Sequence, residues 1–427
     1  MIARRKVAFL RLCAVLRSIE ADLDDLDAVR ALNLGVLKEI LNDEGHIRRL
    51  RALVKDLKRR LKTERRSKAE AHGLRNQITR HEAAIKRYEG QLFIWRCVAD
   101  GLVYAYVSTF NLKHAYFESD RFGVKPSAGF IGGKDGLRLE LGALLSVIEH
   151  KVPAVLSDIT NIIRYGDVCL LGGADPVPME VKSRAELNQR GKRQAAKLHL
   201  LETFLKEDVA ADFRGMPEVR RVAYGVPHRD CLGDLNACIQ NARRDGWNAV
   251  CPEKGLAYMA TFTGKLPDCF LESLNMTRPI VFTPNGDKMD HAWAPYLPFT
   301  NSIRDLQDLY DFAAGNLYLV VAVDAAVVCD RLSIPGWETS LIDDPDRIIL
   351  MEHLDSGAKI AISTQFFGRL GLEFMSLDWF VEHQTEFVLG MWSEMVAGQP
   401  TVVDPAEFGD WGAQLEAAPR LYQAKAD

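Results

Sequence analysis

The chain has 427 residues, 48% hydrophobic and 26% charged, with a formal net charge of −4. That balance describes a folded chain long enough for two or three domains and excludes a low-complexity or disordered polymer. Its longest apolar run, Leu317 to Cys329, is too short for a membrane span and is broken by Asp324, so no membrane crossing is expected.

Residues 1–120 read as a helical arm; the first proline is Pro126. The opening MIARRKVAFLRLCAVLRSIEADL has the basic start and apolar middle of a signal peptide. Arg11 interrupts the apolar run, however, and no small-residue cleavage site is evident, so an amphipathic helix is expected. A break is predicted near Asn42-Asp43-Glu44-Gly45. After it, Leu50, Leu53, Val54, Leu57 and Leu61 mark a helical stripe. Between Arg48 and Lys68 there are eleven Lys/Arg against Asp56 and Glu64. Such a run is either a solvated helix face or a polyanion-binding one that neutralises DNA phosphates. A membrane-surface helix fits less well, because the stretch has no Trp or Phe. Leu74, Ile78, His81, Ile85, Tyr88 and Leu92 then repeat at four and three, a coiled-coil seam for self-association or intramolecular packing. A homodimer through these helices is the expected assembly. Gly73 reads equally as a hairpin turn or as a glycine within one long helix.

Leu92 to Tyr116 is aromatic and apolar and should be buried, with His114 structural. Ser127 to Glu140 brings a glycine-rich loop into a helix. It fails as a nucleotide-binding P-loop: Gly129 to Gly133 is one residue short, and Asp135 rather than Ser or Thr follows Lys134. No nucleotide cofactor is expected. Asp135 reads as an N-cap, and the loop is free to lie along a DNA backbone. The helix from Gly136 to His150 carries Leu137, Leu141, Leu144 and Ile148 on one stripe, with Glu140 at its margin. Val152 to Arg164 should hold a first strand. Two apolar runs, GDVCLL and VPMEVKS, then flank Gly172-Gly173-Ala174-Asp175-Pro176, the pattern of a hairpin with buried strands. Period-two alternation puts Glu180 and Lys182 on one face and gathers them with Asp167 on one local surface. Burying such charges is costly unless they pair or bind a metal. Further on, Gln194, Leu198, Leu201 and Leu205 form a helical stripe with a polar Gln where the sheet should be, and Glu218 to Gly225 reads as a strand.

Asp167, twelve residues, then Glu180-Val181-Lys182 between two helices resembles the core of the PD-(D/E)xK nuclease superfamily, the restriction-endonuclease-like fold, over roughly residues 128–226. The resemblance implies an α-β-β-β-α-β core. It also implies a divalent metal, Mg²⁺ or Mn²⁺, held by Asp167, Glu180 and the Val181 carbonyl, with Lys182 orienting or activating the attacking water. Glu140, with Glu149 as runner-up, takes the place of the extra acid that the family often carries on the preceding helix. Gln194 and Lys197 match positions that contact the metal-bound water or the scissile phosphate. Gly166 stands where the family's motif has Pro.

Past Val226 a mixed α/β domain (227–427) is expected: a helix at Arg229 to Asp245, strands at 247–251, 256–262, 317–323, 347–351 and 359–363, a helix at 302–314 and two more to about Ala397. His228 with Cys231, and Asp290-His291, each lack a third partner for catalysis or metal binding. The aromatic loop His291 to Phe299 reads as core or interface rather than a base-stacking surface. The eight cysteines include no CxxC pair, which suits a reducing cytoplasm and offers no zinc site.

These readings converge on an α/β protein with three parts: an N-terminal helical segment (1–120), a nuclease-like core (121–226) and a C-terminal domain of unknown role. The function they imply is a metal-dependent nuclease acting on DNA in the cytoplasm. By analogy with the family, restriction or anti-phage defence would be its setting. The alternative is a non-catalytic DNA-binding or scaffold protein with a nuclease-like core.

Overall fold

The computed structural model describes residues 5–64, 67–121, 123–127, 129–182, 189–221, 225–264, 274–289, 293–396 and 422–423. The first helix, α1 (Lys6–Ala21), buries Phe9, Leu12, Cys13, Leu16 and Ile19 at three- and four-residue spacing. The next, α2 (Leu26–Thr63), is opened by Asp25, whose carboxylate accepts the Ala28 N–H. It runs without interruption through Asn42–Gly45, where the sequence suggested a break. The polar residues there face inward. Asp43 accepts the Trp95 indole N–H at 2.9 Å and pairs with Arg5 at 2.9 Å, and Glu44 accepts the backbone N–H groups of Ile131 and Gly132 at 2.8 and 2.6 Å. A D-E-G triplet looks like a loop when its partners lie far along the chain.

Gly73 is inside α3 (Lys68–Tyr106), which opens at Ser67 with a capping box to Glu70. The seam packs within the chain. Leu74 and Ile78 close a small core against Val54 and Leu57, with Leu61 and Ile85 at its edge, so α2 and α3 form an antiparallel pair. Beyond it, almost every residue of α3 from Gln91 to Val103 is buried.

By contact density the chain divides into Met1–Phe117 with Lys125–Glu202, and Glu118–Val124 with Thr203–Asp427. The sequence reading set its boundaries near 120 and 226; in the first of these units the long helices and the hairpin strands pack together. After the short α4 (Thr109–Leu112) comes α5 (Leu137–Glu149), whose N-cap is Gly136 without a side-chain bond, not Asp135. Three short antiparallel strands follow, β1 (Ala154–Leu156), β2 (Val168–Leu170) and β3 (Val177–Met179), in that order across the sheet. The free edge of β1 is satisfied from α2: Asn33 donates to Ala154 O at 3.0 Å and accepts from Leu156 N at 3.1 Å. The outer strand β3 is partly exposed, with Val177 44% accessible, rather than buried as expected. Then comes α6 (Gln189–Glu207), giving the order helix, three strands, helix.

The sixth element departs from the family pattern. In the second unit, β4 (Val209–Phe213) and β5 (Met216–Arg220) pair with each other and, among the described residues, join no larger sheet. Arg214 and Gly215, with φ of 58° and 78°, turn the chain back on itself, so the strand at Met216–Arg220 finds its sequence neighbour first. Residues 222–224 of the expected strand lie outside the described residues.

The rest of the second unit begins with α7 (Leu232–Asp245), β6 (Trp247–Glu253), β7 (Leu256–Thr261) and β8 (Pro279–Phe282). Three helices, α8 (Pro284–Met289), α9 (Phe299–Ser302) and α10 (Leu306–Ala314), precede β9 (Tyr318–Asp324) and α11 (Ala325–Arg331). The sheet order is β13 (Tyr422–Gln423), β8, β9, β7, β6, antiparallel throughout. Asp324 ends β9 and caps α11 by accepting the Ala326 N–H. That is why the apolar run Leu317–Cys329 is a strand and a helix. A second sheet, β10 (Trp337–Leu341), β11 (Arg347–His353) and β12 (Lys359–Ser363), precedes α12 (Thr364–Leu372) and α13 (Leu377–Val396). Trp293, Phe299 and Phe312 pack with ring centroids 5.2–5.9 Å apart, so the described part of the aromatic loop is core; Asp290 and His291 lie outside the described residues. No helix among the described residues is long and apolar enough to cross a membrane.

Candidate active site

The β2–β3 ladder pairs Val168 with Met179, Cys169 with Pro178 and Leu170 with Val177. Asp167 and Glu180 follow at the open end of this ladder, close enough for the Glu180 charge to act on Asp167. Two bonds fix this end of the ladder: Asp167 N donates to Met179 O, and Val181 N donates to Asp167 Oδ2, both at 2.7 Å. The sequence resemblance assigned the Val181 carbonyl a role; the amide is what touches Asp167. Lys182, two residues past Glu180 and beyond the end of β3, forms an ion pair with it.

Gly166 explains why this chain has no Pro before Asp167. Its φ is +66°, which a pyrrolidine ring cannot adopt, and a Cβ there would lie 2.7 Å from Met179 N and Met179 O. Close approach of β3 requires a residue with no side chain.

Glu140 belongs to the same group. It lies in the first turn of α5, is 8% exposed, and folds back over Gly136, where a Cβ would meet its Oε1 at 2.8 Å. Burial and then the Asp167 charge push the Glu140 carboxyl up, with Asp158 and Glu180 adding to the effect and Lys134 opposing it. Asp167 is likewise raised by burial. The Val181 N–H pulls it back, Glu180 raises it, and Lys182 and Asp158 oppose one another. Four carboxylates therefore feel one another across α5, the β1–β2 connection and the β2–β3 end. Asp158 forms an ion pair with Lys134. The failed P-loop match set Lys134 aside, and nothing local in Lys134 or Asp158 signals the other.

Two expected residues make no described contact with this group. Gln194 and Glu149 are both exposed; the inward stripe of α6 starts at Leu198 and continues through Leu201, Phe204 and Leu205. The free amides of the glycine-rich loop are taken by Glu44, so its Ile131–Gly132 backbone clasps a carboxylate of this chain. Among the described residues no three His, Cys, Asp or Glu side chains lie close enough together to hold a metal ion as they stand. By chemistry, Glu140, Asp167 and Glu180 are hard oxygen donors whose mutual repulsion a divalent cation would relieve, and they suit Mg²⁺ or Mn²⁺ better than zinc.

The second unit shows no comparable constellation among its described residues. Cys231 is buried and its thiol is pushed up to about 12 by burial and the neighbouring Glu253, which disfavours a nucleophilic thiolate. Comparison of the chain with protein-family models, with curated proteins and with solved structures finds no match.

Proposed function

We propose that this chain is a divalent-metal-dependent nuclease that hydrolyses phosphodiester bonds of DNA. The observation that carries the reading is Asp167, fixed at the open end of β2–β3 by the Met179 carbonyl and the Val181 N–H, with Glu180 and Glu140 within electrostatic reach and Lys182 paired with Glu180. Asp167, Glu180 and Glu140, with the Val181 carbonyl, would hold the cation, which when bound polarises the phosphodiester and lowers the pKa of water. Glu180 holds the Lys182 ammonium at the mouth of the group. From there it orients a water or a phosphate oxygen, and moving away from Glu180 frees it to donate. Glu140 and Asp167 bind a cation as carboxylates, so their protonation competes with it.

A second reading, a nucleic-acid-binding scaffold that does not cut, is favoured by two observations: Gln194 is exposed, and β4 and β5 pair with each other and, among the described residues, join no larger sheet. Cleavage of supercoiled, linear and single-stranded DNA with Mg²⁺ or Mn²⁺ separates the two, comparing wild type with Asp167→Ala and Lys182→Ala. The nuclease reading expects cutting by wild type and loss in both folded variants. Metal-independent DNA binding with no cleavage on any substrate, and metal titration curves that coincide for wild type and Asp167→Ala, would establish the scaffold instead.

A further inference from the structure

Between Arg48 and Gly90, across the α2–α3 hairpin, every described acid is engaged, while many cations are not. From Arg48 to Gly90 the sequence carries fifteen Lys/Arg and five Asp/Glu, a net of +10 in a chain whose total is −4. Glu89 pairs with Arg51 at 2.8 Å, Glu82 with Lys58 at 2.7 Å and Asp56 with Arg59 at 2.6 Å. Glu64 lies 3.9 Å from Arg60, and Glu70 serves the Ser67 capping box. Lys55, Lys62, Lys68, Arg75, Arg80 and Arg87 are exposed and have no partner among the described residues. They fall into three pairs seven residues apart, so each pair shares one helical stripe with about 10 Å between its members along the axis.

The hairpin keeps its apolar residues to itself. Val54, Leu57, Leu74 and Ile78 are closed into its own core, and among its described residues Leu53 is the one large hydrophobic left exposed. A membrane surface would find no face to insert, whereas a phosphate backbone needs nothing but cations. The positive strip also reaches the acidic group. Arg48 donates to Gly132 O at 3.3 Å, and two residues further on Lys134 is paired with Asp158 beside Glu140 and Asp167.

We propose that the α2–α3 hairpin is a sequence-independent grip for the phosphate backbone of duplex nucleic acid, continued through Arg48 and Lys134 to the Asp167–Glu180 end of the sheet. The identity of the partner rests on the proposed function, but binding can be read without cleavage. The experiment measures anisotropy of labelled duplex DNA and duplex RNA in EDTA over a salt series. It compares the full-length wild type with the variant Lys62→Gln/Lys68→Gln/Arg75→Gln/Arg80→Gln. Glutamine keeps helix propensity, and circular dichroism checks that the variant is folded. The wild type is expected to bind with log K falling linearly with log salt. The variant should bind at least about tenfold more weakly at low salt, with a slope shallower by about 3–4. Unchanged affinity and slope in a folded variant would overturn the grip. So would phosphatidylserine vesicle binding that the substitutions abolish while duplex binding stays intact. A wild type that binds duplex and, with Mg²⁺ or Mn²⁺, cuts no DNA substrate leaves the grip standing and removes the nuclease reading, while cleavage with undiminished binding in the quadruple variant does the reverse.

Discussion

Asp100 offers the sharpest test of how the first unit holds the connection that leads into β2. It lies on the buried half of α3. Its Oδ1 accepts Asn161 N at 2.7 Å and Ile162 N at 3.1 Å, and its Oδ2 accepts Asn161 Nδ2 at 2.7 Å. Burial pushes the carboxyl from 3.8 up to about 6, and the three donors and Arg164 only partly oppose it. A carboxyl raised on folding stabilises the fold fully below its unfolded pKa, and that contribution is lost as pH rises through about 6. The whole term is about 3 kcal/mol, about 2 of which fall between pH 4.5 and 7.5. Asp100→Asn imitates the protonated acid. Its oxygen keeps the two amides, while its NH₂ meets Asn161, which turns to accept and gives up contacts of 3.4 Å to Phe93 O and 3.6 Å to Cys97 Sγ. The variant should stay within about 1 kcal/mol of wild type at pH 7.5. At pH 4.5 wild type should gain about 2 kcal/mol on it. Asp100→Ala leaves three buried donors unpaired and should cost about 3 kcal/mol at pH 7.5 and about 2 more at pH 4.5. Alkylation of the adjacent buried Cys97 in a denaturant series, read by peptide mass spectrometry, reports opening of this unit specifically. A wild-type minus Asp100→Asn difference that does not change with pH, or that grows as pH rises, would refute the reasoning.

Gly166→Ala forces a Cβ onto the Met179 backbone at positive φ and should cost about 2–5 kcal/mol, seen as lost amide-exchange protection in β2 and β3. Arg243 bridges Asp308 and Asp311 at 2.5 and 2.6 Å, and Arg243→Ala leaves two largely buried acids uncompensated. With Arg243 itself 39% exposed, the expected loss is about 1–3 kcal/mol in urea unfolding of the second unit, below that of a fully buried pair. Because Glu140 and Asp167 are both raised, Mn²⁺ affinity measured by calorimetry should fall with decreasing pH at a higher pH than isolated carboxylates would give; affinity flat through the weakly acidic range would contradict that site.

Local pattern determined much of this protein. The apolar spacing of α1, α2 and α3 and the Gly-Gly-Ala-Asp-Pro turn between β2 and β3 are properties of neighbouring residues, and the chain keeps them. The tertiary structure decided what depended on partners far away. Asp43 and Glu44 read as a helix break because Trp95 and the Ile131–Gly132 amides are 52 and 87 or more positions distant. The seam on α3 was as compatible with a second chain as with α2, and packing against Val54 and Leu57 is a choice no period encodes. Gly166 looked like a departure from a motif until the closeness of Met179 made any side chain there untenable. Glu140 and Asp158 join Asp167 across separate elements, and charges meeting through space leave no trace in spacing along the chain.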